Sequence, residues 1–318
     1  MGNRIAVIIP YYQNKEGLLK RAVESVKNQV ISEGVDLIVV DDSSPHPAEL
    51  ELSDWDPGPG VRLKIIEQPN SGPGKARNTG INNIASGIEY IAFLDSDDYW
   101  GVNHLKLALK AFDAGADIYF SNYLFPDKRI KMSNLAKECN GYYTLFNSKE
   151  SFWNTTGNAL QMLVLMGYVP TPTVVYRYNK FKSIRFPLDF YTREDKVFCL
   201  ELAIGGARAI FSTNIGAFGG YGVNIFFDNI WGSVKQVHNT SDEIKFWKHS
   251  LQSVLIYEEA IRLSKKRLAL ARKAMVRQLL HHMRRGVISL CIKQILTDPL
   301  TLVYLPAIMV SIIMNKHS

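Results

Sequence analysis

The sequence predicts an α/β fold: a largely parallel sheet covered by helices on both faces, followed by a helical C-terminal segment. Two observations predict it. Over the first 120 residues, short apolar runs alternate with stretches of helical periodicity, and alternation at this spacing sets successive strands side by side in one parallel sheet. Polar chemistry then gathers where the apolar runs stop, at Pro10-Tyr11-Tyr12-Gln13, Asp41-Asp42-Ser43-Ser44 and Asp95-Ser96-Asp97-Asp98. Open sheets of this kind bind ligands beyond the carboxyl ends of their strands.

Strands are expected at residues 5–9, 37–40, 63–66, 90–94 and 117–120, each a short apolar run bounded by turn residues. Between the first two, Leu19, Ala22, Val23, Val26 and Val30 share one helical face. Residues 76–85 and 105–112 read as further helices, and Asp56-Pro57-Gly58-Pro59-Gly60 is a turn. Residues 121–220 are less regular, with Pro170-Thr171-Pro172-Thr173 opening a strand-like run over 174–178. Residues 216–233 hold many glycines and aromatics, a composition suited to a mobile loop over a site. From about residue 242 the pattern turns helical. The expected division is a catalytic domain over 1–240 and a basic helical segment over 241–318.

With 318 residues, 47% apolar and 21% charged, the chain can bury a substantial core and is not a disordered protein. The net charge of +7 is unevenly spread: from Glu259 onward, 11 Lys and Arg stand against Glu259 and Asp298, a balance of +9, which leaves −2 for the rest. Basicity confined to the tail argues against a nucleic-acid binder. Cys139, Cys199 and Cys291 are odd in number and far apart, which fits a reducing compartment. Met1 to Arg4 leads straight into the first strand, so no secretory leader is expected.

The acidic turn at 95–98 carries the most chemistry. It follows Tyr90-Ile91-Ala92-Phe93-Leu94, and a buried strand does not ordinarily end in three carboxylates within four positions. A divalent cation such as Mg²⁺ or Mn²⁺ relieves their repulsion, since hard oxygen ligands suit it. A solvated turn capping the next helix is the plainer alternative.

The ordered set Val7-Ile8-Ile9-Pro10-Tyr11-Tyr12, Val39-Val40-Asp41-Asp42-Ser43-Ser44, Asn70-Ser71-Gly72-Pro73-Gly74-Lys75-Ala76-Arg77-Asn78-Thr79-Gly80, Phe93-Leu94-Asp95-Ser96-Asp97-Asp98 and Arg193-Glu194-Asp195 resembles the family 2 glycosyltransferases of the GT-A fold. The resemblance covers about residues 4–215. Gly222-Val223-Asn224-Ile225-Phe226 and Trp231-Gly232-Ser233 are further similar to succinoglycan-type exopolysaccharide glucosyltransferases. Arg193 departs from the family, which more often has a small residue there.

The resemblance implies a Rossmann-like, mostly parallel sheet and a metal-dependent inverting transfer from a UDP-sugar. Asp97 would be the metal ligand, with Asp95 assisting or binding ribose and Ser96 beside them. His238, just after the Gly/aromatic loop, is a candidate to complete the metal site in the closed state, although a lone loop histidine is usually only solvated. Asp42 would bond the uracil ring, with Pro10 and Tyr12 walling its pocket, although strand-end aromatics are often simply core. Arg77 would touch the diphosphate or an acid that binds it, with Asn78 adjacent; Lys75 is equally well read as solvated. Asp195 would be the general base and Glu194 its neighbour, although an acid pair opening a helix is also a dipole-stabilised N-terminus. Thr171, Thr173, Tyr221, Asn224 and Trp231 are candidate acceptor contacts, with core packing the alternative for the aromatics.

In the tail, nine Lys and Arg lie between Arg262 and Arg285 with no acid, interleaved with apolar residues. A basic amphipathic helix reads as membrane-surface binding. The apolar stretch 300–314, broken by Pro306, is too short to span a bilayer of about 30 Å. The expected placement is therefore cytoplasmic and peripheral, on an anionic inner leaflet beside a lipid-linked oligosaccharide acceptor. A helix pair docked on the domain, or a contact between copies, is the alternative. A sugar nucleotidyltransferase and a non-catalytic membrane scaffold are the competing functions.

Overall fold

A computed structural model describes residues 4–125, 143–155, 167, 169–222, 230–253 and 258–314. The chain divides into two compact units, residues 1–188 with 194–223 and residues 189–193 with 224–318. The boundary expected at residue 240 falls inside a helix.

The first unit is built on a sheet of ten strands among the described residues: β1 (Arg4–Tyr11), β2 (Val35–Asp41), β3 (Val61–Glu67), β4 (Ile88–Phe93), β5 (Tyr99–Trp100), β6 (Ile118–Leu124), β7 (Tyr143–Asn147), β8 (Phe152–Thr155), β9 (Val175–Arg177) and β10 (Ala209–Phe218). Their order is β3-β2-β1-β4-β9-β6-β10-β8-β7, with β5 beside β10. The parallel sheet expected from the alternation is present over β3-β2-β1-β4 and again between β6 and β10. Antiparallel pairings of β9, β8, β7 and β5 extend it into a mixed sheet.

Burial follows position in that order. β1 and β2 lie inside the sheet and β2 is buried at every residue. β3 lies at the edge and largely alternates half-buried with exposed, presenting Arg62 and Lys64 outward, as charged edge strands do. Asp36 is buried within β2 and neutralised by Arg62 of β3, with contacts of 2.6–2.9 Å.

Helices α1 (Leu18–Lys27), α2 (Ala48–Glu51), α3 (Pro73–Asn82), α4 (His104–Asp113) and α5 (Glu194–Ile204) belong to this unit. Leu19, Ala22, Val23 and Val26 of α1 face the core as their spacing predicts. Val30 does not join them: α1 stops at Lys27, and Val30 is exposed beyond its end. α3 lies directly on β1 because Gly80 carries no side chain, and a Cβ there would sit 2.5 Å from Ile8. Under α5, Phe93, Tyr176, Phe186 and Phe198 form a continuous aromatic cluster with centroids 4.1–5.9 Å apart.

The second unit is helical: α6 (Val234–Ser253), α7 (Glu258–Arg284), α8 (Ile288–Thr297), a 3₁₀ turn (Pro299–Tyr304) and α9 (Leu305–Met314). α6 and α7 are bonded through buried polar pairs, Gln278 to Thr240 at 2.8 Å and Ser250 to Ser264 at 3.0 Å. The segment 189–193 is fixed to α6 by Asp242, whose carboxylate accepts from the amides of Tyr191 and Thr192. Cys199 and Cys291 are free and buried; Cys139 lies outside the described residues.

Candidate functional site

Three strand ends converge with two helix starts. β2 delivers Asp41 and Asp42, and the two acids do different work. Asp41 closes the turn after its own strand, accepting from the amides of Ser44 and Ala48 at 2.7 Å each. Asp42 reaches across to the segment before α3: Oδ1 accepts from Gln68 Nε2 at 2.6 Å and the Ser71 amide at 2.9 Å, and Oδ2 from the Gly72 amide at 2.7 Å. Gly72 has φ +85°, a conformation that side chains rarely adopt. Asp42 thus fixes the entry of α3. Tyr12 stands exposed beside this end of the sheet and Pro10 is buried in β1.

Arg77 of α3 is the hinge of the site. Its guanidinium is buried, lies 5.3 Å from the Phe186 ring, and joins two carboxylates: Nη2 donates to Asp95 at 2.6 Å and Nη1 to Glu194 at 3.1 Å. Burial alone would pull the guanidinium pKa down, but Asp95 and Glu194 outweigh it and leave it raised. Of the two roles expected for Arg77, the structure shows contact with the acids. Gly74 makes this approach possible, since a Cβ there would lie 2.9 Å from the Glu194 side chain. Asn78 is buried, and its amide bonds at both ends to the Phe186 backbone, at 2.7 and 2.9 Å. Lys75 is exposed, as the solvated alternative has it.

The acidic turn after β4 is partly compensated. The Oγ of Ser96 is buried and accepts from Gln13 Nε2 at 3.1 Å. Asp97 Oδ2 accepts from the Gly222 amide at 3.0 Å, and its carbonyl accepts from Arg21. Asp98 is bonded by the Tyr123 hydroxyl at 2.9 Å and the Gly220 amide at 3.1 Å. Burial, then the charge of Asp95, raises the Asp97 carboxyl above its ordinary range. Burial with Asp95 and Asp97 pushes Asp98 up to about 8. Gly220 and Gly222 come this close only as glycines: a Cβ at Gly220 would fall 1.7 Å from the Asp97 carbonyl oxygen, and one at Gly222 2.6 Å from its carboxylate. Tyr123 and Arg21 had no motif to announce them, because their roles come from packing between distant elements, whereas Gly220 lies in the glycine-rich stretch expected over a site.

Residues 216–218, expected in a loop, are the end of β10. Residues 219–222 follow it over the acidic turn, and 223–229, with Asn224, lie outside the described residues. α5 opens with Glu194 and Asp195. The Thr171 hydroxyl donates to Asp195 Oδ2 at 3.2 Å. Burial and the neighbouring Asp195 push Glu194 up to about 7 against the opposing pull of Arg77. Thr173 is fully buried, and its hydroxyl donates to the Pro170 carbonyl at 2.8 Å. Tyr221 is exposed. Arg193, the departure from the family pattern, has φ +72° and pairs with Glu243 at 3.2 Å within the second unit.

Trp231 and His238 also belong to the second unit. Trp231 is exposed, its ring 6.2 Å from His281. His238 lies within α6, not on a loop, with its ring 6.1 Å from Tyr191.

The donor chemistry fits a hard divalent cation. Three carboxylates share one turn, and burial first and neighbouring acids second raise two of them, Asp97 and Asp98, above their ordinary range. Among the described residues no three His, Cys, Asp or Glu side chains converge as ligands, so a cation here draws only part of its shell from protein. Mg²⁺ and Mn²⁺ sites commonly complete theirs with phosphate oxygens and water.

Residues 6–185 match the family model Glycosyl transferase family 2. The chain belongs to this family. It is 29% identical over 294 residues to the succinoglycan biosynthesis protein ExoW of Rhizobium meliloti, covering 83% of this chain and 90% of that protein. Among solved structures, residues 1–349 of Staphylococcus aureus TarS in complex with UDP-GlcNAc align with a TM-score of 0.59 at 20% identity, over 88% of this chain and 73% of that one. The mannosyltransferase PcManGT of Pyrobaculum calidifontis, in complex with GDP-Man and Mn²⁺, aligns with a TM-score of 0.58 at 16% identity, over 98% and 87%. These likenesses establish the GT-A-type fold for this family 2 member.

The raised carboxyls make stability pH-dependent in the metal-free protein. The unfolded chain releases these protons near pH 4, whereas the folded chain holds them to about 8 at Asp98 and about 7 at Glu194. The folded state therefore binds more protons across that interval. Its stability is greatest below about pH 4 with respect to these two groups and falls as pH rises towards 8, by at most about 1.4 kcal/mol per pH unit for each proton. Urea unfolding in EDTA should show this slope, and Asp98→Asn should remove its share. A profile that is identical in the variant refutes the assignment.

Proposed function

We propose that this family 2 glycosyltransferase moves a hexose, glucose or galactose, from a UDP-sugar to a lipid-linked oligosaccharide with inversion, in assembly of a bacterial surface polysaccharide. The observation that carries this is Arg77, which joins Asp95 of the acidic turn to Glu194 beside Asp195. One guanidinium thereby couples the carboxylates suited to a donor diphosphate and its cation to the acid suited to an acceptor hydroxyl. The similarity to a succinoglycan biosynthesis protein supports the polysaccharide reading, and the UDP-GlcNAc complex of TarS supports a uridine donor.

In this reading Asp95 and Asp97 hold Mg²⁺ or Mn²⁺, which when bound neutralises charge on the leaving diphosphate. Asp42 orders the Gln68–Gly72 segment beside the uracil pocket, with Tyr12 on its open side. Asp195, oriented by Thr171, takes the proton from the acceptor hydroxyl as that oxygen bonds to the anomeric carbon and the bond to UDP breaks. A single base with no covalent intermediate inverts the anomeric centre. Tyr221, Asn224 and Trp231 are acceptor contacts in this proposal. The acceptor's lipid stays in an anionic cytoplasmic leaflet to which the basic tail binds peripherally.

A screen of UDP-sugars with and without Mn²⁺ tests the reading. Free UDP is expected from one hexose donor, only with metal. Pyrophosphate as the product would identify a nucleotidyltransferase instead, and no turnover of any sugar nucleotide under metal would favour a binding scaffold.

A further inference from the structure

The second unit leaves an apolar edge uncovered, and it is not the helix that the charge pattern singles out. On α8, only Cys291 and Gln294 are buried. Ile288, Ile292 and Leu296 recur every four residues and so share a face; all three are exposed, Leu296 to 74%. Leu300 and Val303, the latter 69% exposed, and Met309 and Val310 of α9 are exposed as well. Neither α8 nor α9 contains an acid, and Lys293 is the one charged residue of the two helices. Scattered exposed apolar residues need no explanation, but a row repeated along one helix face marks a contact surface.

The path of the chain fixes how such an edge meets its partner. α8 and the segment following it are bent by 105°, and no single described helix is long and apolar enough to cross a membrane. The bend is held by Asp298: Arg272 of α7 donates to it at 2.7 and 2.9 Å, and the Thr301 hydroxyl at 3.0 Å. Straightening the pair into a span would strip a buried carboxylate of these donors inside hydrocarbon, an expensive step. Arg272 is therefore an internal pin and not part of the basic face on which its sequence places it. The other basic residues of α7, Arg262, Lys265, Lys266, Arg267, Lys273, Arg277 and Arg284, are exposed.

We infer that the α8–α9 edge, with Ile288, Ile292, Leu296 and Val303 as its anchors, inserts in the plane of an anionic lipid interface while the α7 cations engage headgroups. This deepens the membrane placement proposed above, by naming the inserting element and its in-plane geometry. Charge decides between lipid and a second copy of the chain: the balance of +9 from Glu259 onward attracts an anionic leaflet and repels its own duplicate.

The test is flotation of the full-length protein with phosphatidylcholine vesicles, with and without phosphatidylglycerol. Wild type is expected to float with the anionic vesicles and to be released by high salt. Ile292→Asp with Leu296→Asp should lower binding by about tenfold or more, and Lys265→Glu with Lys266→Glu should lower it only on anionic vesicles. Because these side chains are exposed, thermal unfolding and UDP release from the donor should be unchanged in both variants. Flotation of the Ile292→Asp, Leu296→Asp protein equal to wild type would overturn the inference. So would a wild-type dimer that ignores vesicles and dissociates on those substitutions. A wild type that floats yet releases no UDP from any donor would sink the transferase reading and leave this one standing.

Discussion

Asp195→Asn is expected to lower kcat for UDP release by about 10³-fold, with the donor KM nearly unchanged. A positioned general base contributes roughly 10²–10⁴, and in the proposed mechanism this carboxylate acts on the acceptor and not on the nucleotide. The amide retains the volume of the acid and can still accept from Thr171, which lies 3.2 Å from Asp195 Oδ2, so the fold should not suffer. Thr171→Ala removes only the orienting bond and should cost about tenfold. The two effects should not multiply in the double variant, since a bond that orients the base has no value once the base is gone. A kcat for Asp195→Asn within twofold of wild type would end the assignment and direct attention to Glu194, the other acid of the pair.

Asp97→Asn should abolish the response to Mn²⁺ and reduce turnover by about 10³-fold or more, because the cation supplies several kcal/mol of charge stabilisation. Stability should move the other way. Burial and Asp95 hold the Asp97 carboxyl above its ordinary range, so its charge is a burden on the metal-free fold, and a neutral amide removes it while leaving an oxygen for the Gly222 amide. A variant that is inactive, folded and more stable in EDTA at about pH 8 than wild type separates loss of a ligand from loss of structure. Calorimetry provides the direct readout: UDP should bind wild type more tightly with Mn²⁺ than with EDTA, and the variant equally in both. Equal binding by wild type under the two conditions would remove the cation from the proposal.

The strands with the longest apolar runs were legible without coordinates, because a strand buried on both faces has to be written as an unbroken run of apolar residues. β1, β2 and β4 are of this kind. The antiparallel additions were not legible: β9 has three residues and β5 two, too few for any period to register. Val30 shows the opposite limit. It fits the helical period of α1, yet the chain leaves the helix at Asn28, and a period cannot mark its own end.

For the site, residue types and strand ends together pointed to the acids but not to how they divide the work. Asp41 and Asp42 are adjacent and identical, and only the fold sends one into its own turn and the other to the start of α3. Asn78 and Thr173 sit beside functional motifs, and only the fold bonds their side chains to backbone partners 108 and 3 residues away.

By itself the sequence determined that acidic groups would stand at the ends of parallel strands, that a cationic helix would follow them, and that basicity would collect in the tail. These depend on local pattern, and each residue carries its own chemistry wherever the chain goes. Only tertiary structure decided that one buried Arg77 ties Asp95 to Glu194, the latter 117 residues further along the chain than Arg77 itself, and that Arg272 turns inward to hold Asp298. The reason is electrostatic: whether a charge is a solvated surface group, a partner or a ligand depends on which opposite charges the fold brings within a few ångströms and on how much water it leaves between them.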